Sequence, residues 1–210
     1  MQSALSPTEE GILEAARQTF ARVGFHGARM QEIADSAGIN KAMLHYYFRS
    51  KEALFERVFH EAFADFLPKL HLMYAGSQSV MEKLDWYVGE HLQLLLKNPQ
   101  LPIFILTEVH QDPERFFKIF LGNMPSPPPF MQFIQQMENE MEAGIIRRMD
   151  PRDLWFSVMG MVVFPFVARP MLQRVTATEE QHYQHLLENR KESIMRILRD
   201  TLTIDPKDRR

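Results

Sequence analysis

Residues 34–54 read Ala34-Asp35-Ser36-Ala37-Gly38-Ile39-Asn40-Lys41-Ala42-Met43-Leu44-His45-Tyr46-Tyr47-Phe48-Arg49-Ser50-Lys51-Glu52-Ala53-Leu54. Gly38 stands where one helix must stop, because glycine alone takes the left-handed backbone without steric cost. Asn40 stands where the next must start, its side-chain oxygen able to accept an orphan N–H one turn in. From Lys41 to about Phe48, Leu44 and Phe48 share one face, and Lys41, Ala42, Met43, His45 and Tyr46 share the other. Ser50 before Lys51-Glu52 opens a further helix. Two short helices across a glycine turn make a helix-turn-helix, whose second helix lies in the DNA major groove.

Working outward, every segment announces a helix. Ser6-Pro7-Thr8-Glu9 reads as a capping box with proline at the first helical position; Ile12, Leu13, Ala16, Phe20 and Val23 follow at helical spacing until Gly24. A second helix is predicted from about Arg29 to Ala37, burying Ile33, Ala34 and Ala37. After Ser50, Leu54, Phe55, Val58, Phe59, Ala62, Phe63 and Phe66 stripe one long helix, which Pro68 should stop or kink. Ser79-Val80-Met81-Glu82 boxes a helix to about Lys97, and further helices are predicted near 101–109, 113–122 and 130–143. The prolines of 125–129 read as a stiff extended spacer. Asp150-Pro151-Arg152-Asp153 opens an apolar helix to about Leu172, and Thr178-Glu179-Glu180-Gln181 boxes the last, to about Leu202. Alternating strand-type runs are absent. The expectation is an all-α protein with a helix-turn-helix head at 1–50 and a larger helical domain at 51–210.

Composition narrows the function. The 210 residues are 45% hydrophobic and 24% charged, enough for a core in one or two domains. With no cysteine, disulfides, thiolate zinc sites and cysteine nucleophiles are excluded. No basic-then-apolar leader pattern opens the sequence. The longest uncharged run, between Asp153 and Arg169, is interrupted by Pro165 and falls short of a bilayer span. A cytoplasmic protein without a membrane partner is expected. The net charge of −3 argues against polybasic, non-specific nucleic-acid binding but leaves room for a local basic face. No phosphate loop, nucleophile elbow or His-Glu-x-x-His motif is present. Glu179-x-x-His182 lacks the second copy that a di-iron site needs. Neither an enzyme, a cofactor nor a metal is expected.

Ile12 to Phe20, Gly24-Phe25, Ile33-Ala34-x-x-Ala37-Gly38 and Leu44-x-x-Tyr47-Phe48-x-x-Lys51-Glu52-x-Leu54 fall in one register. By these residues the chain resembles the TetR (tetracycline-repressor-like) family of bacterial one-component regulators, over roughly its first quarter. The resemblance implies a homodimer with two reading heads, an effector pocket in the C-terminal helices, and DNA affinity altered by a small-molecule effector, with repression as the default. The family commonly places a hydroxyl residue against phosphate at the start of the second helix; here the positions read Ala28-Arg29, so Arg29 is expected to take that contact. It often carries tyrosine where this chain has His45.

On the DNA side, the candidates are Arg29, Asn40, Lys41, Ala42, Met43, His45, Tyr46, Tyr47 and Lys51. Lys41 can reach guanine acceptors or a phosphate; Ala42 and Met43 suit a thymine methyl. His45 and Tyr46 are placed to touch bases or backbone. Tyr47 can donate to a phosphate, and Lys51 can share one with its helix N-terminus. On the effector side, Trp86, Phe104, Phe117, Phe133, Met137, Trp155 and Met159 are apolar pocket candidates, with Met124 in the wider set and Glu108 and His110 as polar ones. Tyr183, Leu186, Leu187, Ile194, Ile197, Leu198 and Leu202 form a stripe that, beside the apolar helix, would close a four-helix bundle across a two-fold axis. The alternative is a helical small-molecule-binding protein without operator binding. The retained Lys41 and Lys51 speak against it.

Overall fold

The computed structural model describes residues 6–122 and 129–204. All their regular structure is helical. The helices are α1 (Pro7–Gly27), α2 (Met30–Ser36), α3 (Lys41–Tyr47), α4 (Lys51–Phe63), α5 (Phe66–Ala75), α6 (Val80–Lys97), α7 (Leu101–Gln111), α8 (Pro113–Gly122), α9 (Phe130–Glu142), α10 (Pro151–Val167), α11 (Arg169–Val175), α12 (Glu180–Glu188) and α13 (Arg190–Leu202). Their described residues pack as two units, 6–65 with 100–122 and 66–99 with 129–204. This partition differs from a division at residue 50, because α4, α7 and α8 complete the core of the head.

That head core is aromatic. Phe20 meets Phe55 edge-on at 5.1 Å between ring centroids, Phe55 meets Phe104 at 5.2 Å and Phe25 meets Phe55 at 5.3 Å. Ile12, Leu13, Ile33, Leu44 and Leu54 are fully buried around them. Ser6 caps α1 by accepting the Glu9 N–H, and Ser50 caps α4 through Ala53. Gly24 does break α1, at φ +69°, but the chain resumes one more turn to Gly27. Ala37 is only half-buried.

In the second unit, α6 starts on a complete Ser79–Glu82 capping box, and Asp150 caps α10 through the N–H groups of Arg152 and Asp153. Phe133, Met137, Val158, Val162 and Ile194 have no exposed surface. Four expectations need correction here. The break in the helix after Ser50 falls at residues 64–65, ahead of Pro68. Pro68 instead lies in the first turn of α5, where a missing N–H costs nothing. The apolar helix stops at Val167; α11 departs at 80°, with Pro170 in its first turn. Thr178 caps nothing: its hydroxyl meets that of Thr176 at 2.6 Å, Ala177 turns the chain at φ +50°, and Glu179 is the cap residue. The last helix is divided at Asn189, whose side chain donates to the His185 carbonyl. The spacer at 125–129, apart from Pro129, and the candidate Met124 lie outside the described residues. No single helix among the described residues is long and apolar enough to cross a membrane, although the bent pair α10–α11 matches by length and composition.

Candidate nucleic-acid interface

Local chemistry sets the geometry of the reading helix. Gly38 adopts φ +69°, and the Ile39 N–H bonds back to the Ala34 carbonyl at 3.0 Å, closing the end of α2. The Asn40 side chain then accepts the Met43 N–H at 2.8 Å and starts α3. Leu44 and Phe48 anchor α3 to the head core. This leaves Lys41, Ala42, Met43, His45 and Tyr46 exposed together. Tyr46 is 83% exposed, unusual for so large an aromatic side chain. Tyr47 is half-buried with its ring edge-on to Tyr46, and the His45 ring nitrogen lies 3.4 Å from the Arg49 carbonyl. Arg29 sits exposed at the N-cap of α2 without a cap bond. Neither Arg29 nor Lys41 makes an ion pair among the described residues, whereas Arg22 is tied to Glu32.

Lys51 has a structural role on this face that spacing did not show. Its ammonium donates to the carbonyls of Phe25 at 2.8 Å and Ala28 at 3.0 Å and lies 4.4 Å above the Phe25 ring. Those carbonyls belong to the frayed end of α1, which a cation satisfies. Two of its three N–H groups are thus engaged, and Lys51 fastens the start of α4 to the end of α1.

A second tie meets the same ring from α7 and α8. Glu108 is fully buried; its carboxylate accepts the Phe25 backbone N–H and pairs with Arg115. The Arg115 guanidinium lies 3.7 Å over Phe25 and 4.6 Å over Phe55. Burial pushes the Glu108 carboxyl up from its ordinary range, against the pull of those partners. The Gln111 side chain lies so close to Gly24 that a Cβ there would meet it at 2.4 Å. Glu108 therefore serves the head. Phe104 is core, and His110 and Phe117 are exposed on the same unit. These four belong to the head unit. Arg115 is a further member that carries no sequence signal beyond its place three residues after Asp112 and seven after Glu108.

The remaining candidates lie in the second unit. Trp155 is the hub of an aromatic cluster: its centroid is 4.5 Å from Tyr87, 5.5 Å from Phe130, 5.9 Å from Phe133 and 6.2 Å from Tyr74. The Tyr87 hydroxyl bonds the Met159 sulfur and lies 2.8 Å from His91 Nδ1. Burial holds the His91 pKa down at about 4 and drives both tyrosine hydroxyls up. Met137 is buried, while Trp86 lines a separate groove of about 400 Å³ with Lys83 and Met73. Lys83, buried and bonded to the Tyr74 carbonyl and Gln136, was also missed. Its spacing between Val80 and Tyr87, on the buried face of α6, was the available sign. Asp85 and Glu90 are held in ion pairs by Lys191 and Lys69.

Residues 12–58 match the family described as bacterial regulatory proteins, tetR family. This N-terminal segment is of the TetR family. It is 52% identical over 52 residues to the HTH-type transcriptional regulator RutR of Escherichia coli, covering 25% of this chain and 24% of RutR. It is 32% identical over 108 residues to the HTH-type transcriptional repressor NicS of Pseudomonas putida, covering half of each. The matches thus span about a quarter and about half of these relatives. The crystal structure of HlyIIR, a hemolysin II transcriptional regulator, overlays with a TM-score of 0.60 at 24% identity, covering 89% of this chain and 96% of HlyIIR. The likeness to HlyIIR supports a shared fold.

Proposed function

We propose that the protein is a cytoplasmic transcriptional regulator, a repressor in its ground state and not an enzyme, that binds a palindromic operator as a homodimer. The observation that carries this reading is the outer face of α3: Lys41, Ala42, Met43, His45 and Tyr46 are exposed together on a helix anchored by Leu44 and Phe48. Arg29 and Tyr47 flank it as phosphate contacts, and Asn40 fixes its start. The family match at residues 12–58 covers this same segment. Dimerisation is supported by apolar side chains left open on α10, α12 and α13: Phe156 and Phe164 are 69% and 52% exposed, and Leu186 and Ile197 about half. Covering such a face against a second copy satisfies it with two-fold symmetry.

A small, largely apolar effector would act through the aromatic cluster of the second unit, where Phe133, Met137, Trp155 and Met159 meet the hydroxyls of Tyr74 and Tyr87. An apolar wall with a few fixed polar groups is the ordinary composition of such a site. Trp86, in its own groove, is a secondary candidate. A nuclease footprint of the purified protein on DNA flanking its own gene tests the regulator reading. A protected near-palindrome, with half-site centres about one helical turn (~34–36 Å) apart, is expected. A folded protein that protects no site in DNA selected from a random pool would contradict it.

A further inference from the structure

A cleft of about 610 Å³ lies within the head unit, between the first turns of α4 and the length of α8. Its volume is that of a small-molecule site. Phe55, Ala53 and Ile119 give it an apolar floor, and Arg57, His60, Arg115 and Lys118 bring basic groups to it. Lys118 is exposed and makes no ion pair among the described residues. Arg57 pairs with Glu61 at 3.1 Å through one terminal nitrogen, yet its Nε is buried without an acceptor. The Arg115 Nε is buried without a hydrogen bond as well, its nearest carboxylate being Asp112 at 3.6 Å. Two acids also line the cleft. Glu52 is engaged by its own backbone N–H and by Ser50, whereas Glu56 is exposed and unpaired among the described residues. The basic groups favour an anion, and Glu56 disfavours a second negative charge on it.

We infer that this cleft is a second ligand site, distinct from the aromatic cluster, for a small organic monocarboxylate with a short apolar body. The carboxylate bridges Lys118 and the exposed parts of the Arg57 and Arg115 guanidinium groups, and the apolar body covers Phe55 and Ile119. Its effect on the head follows from Arg115. That guanidinium also holds Glu108 and roofs the Phe25 ring, so a carboxylate drawn to it competes with Glu108 and loosens the end of α1. The Phe25 N–H, which donates to Glu108, reports this directly.

The test uses calorimetry on the full chain with octanoate, 1-octanol and inorganic phosphate at constant ionic strength. Octanoate should bind saturably. The double variant Arg57→Gln/Lys118→Gln should weaken it at least tenfold and leave 1-octanol unchanged, while Lys118→Arg retains octanoate affinity. Glu56→Gln, on an exposed side chain, should tighten octanoate and admit phosphate. Hydrogen exchange at the Phe25 amide should quicken several-fold at saturation. Octanoate bound equally by the double variant, no saturable binding by the wild type, or phosphate bound by the wild type as well as octanoate would each overturn the assignment.

Discussion

The two units hold their interiors by different means. In the head, segments far apart in sequence are joined by charge: Glu108 reaches the Phe25 N–H across 83 residues, and Lys51 and Arg115 enclose the same ring. In the second unit, the interior around Trp155 is made of rings and methionines, and its half-buried histidine is held towards the neutral form. A head held by directional bonds fixes the pose of α3, which base reading requires. An interior built mainly of rings and methionines, with the single buried ammonium of Lys83 tied to the Tyr74 carbonyl and Gln136, can re-form around an apolar guest. Positional precision and adaptability are thus assigned to different parts of one chain.

The contrast breaks first at Glu108. Glu108→Ala would leave the Arg115 charge and the Phe25 N–H without their partner, and should destabilise the head by about 3–5 kcal/mol. Glu108→Gln keeps an acceptor and should cost less; denaturant melts of both variants would check the order. In the second unit the comparable loss comes from volume. Phe133→Ala, at a fully buried ring, should cost about 3–5 kcal/mol through a cavity. An apolar compound that fills it should restore part of the melting temperature, and no rescue would count against an adaptable interior. Lys51→Met removes two charge-assisted bonds and should cost about 2 kcal/mol, read as a lower denaturation midpoint. If it weakened DNA binding at unchanged stability, Lys51 would be a phosphate contact after all.

The smallest effect is in pH. The folded His91 pKa of about 4 lies below its ordinary 6.5, so the fold favours the neutral ring. Its contribution is complete above about pH 6.5 and is lost as the pH falls towards 4. The carboxyl of Glu108 has the opposite sign: raised by burial, it favours the fold most at low pH and loses that contribution as pH rises through its raised pKa. Melting temperatures from pH 7 to 4.5 should therefore fall less steeply in His91→Phe than in the wild type. Identical slopes would remove the histidine from the account.

How much of this was legible beforehand differs along the same divide. Gly38, Asn40 and Ser50 act by local backbone chemistry, which sequence spacing carries, and α2 to α4 appear where the caps put them. The outer face of α3 followed from helical spacing alone. The ties of Glu108 and Lys51 were not legible, because their partners, Arg115 and the Phe25 and Ala28 carbonyls, are set by tertiary packing. Spacing also cannot separate core from pocket: Phe104 and Phe133 look alike in sequence and belong to different units. The breaks at 64–65, Ala168 and Asn189 were hidden because each interrupts a continuous apolar stripe.

The central claim is that the outer face of α3 reads DNA. The most direct measurement compares wild type and Lys41→Ala on the duplex that the wild type enriches from a random pool, and on a scrambled duplex, at one salt concentration. The account predicts a loss of about 1–3 kcal/mol on the enriched site and little on the scrambled one. An equal affinity of both proteins for the enriched site, or no enrichment by a folded wild type, would contradict it.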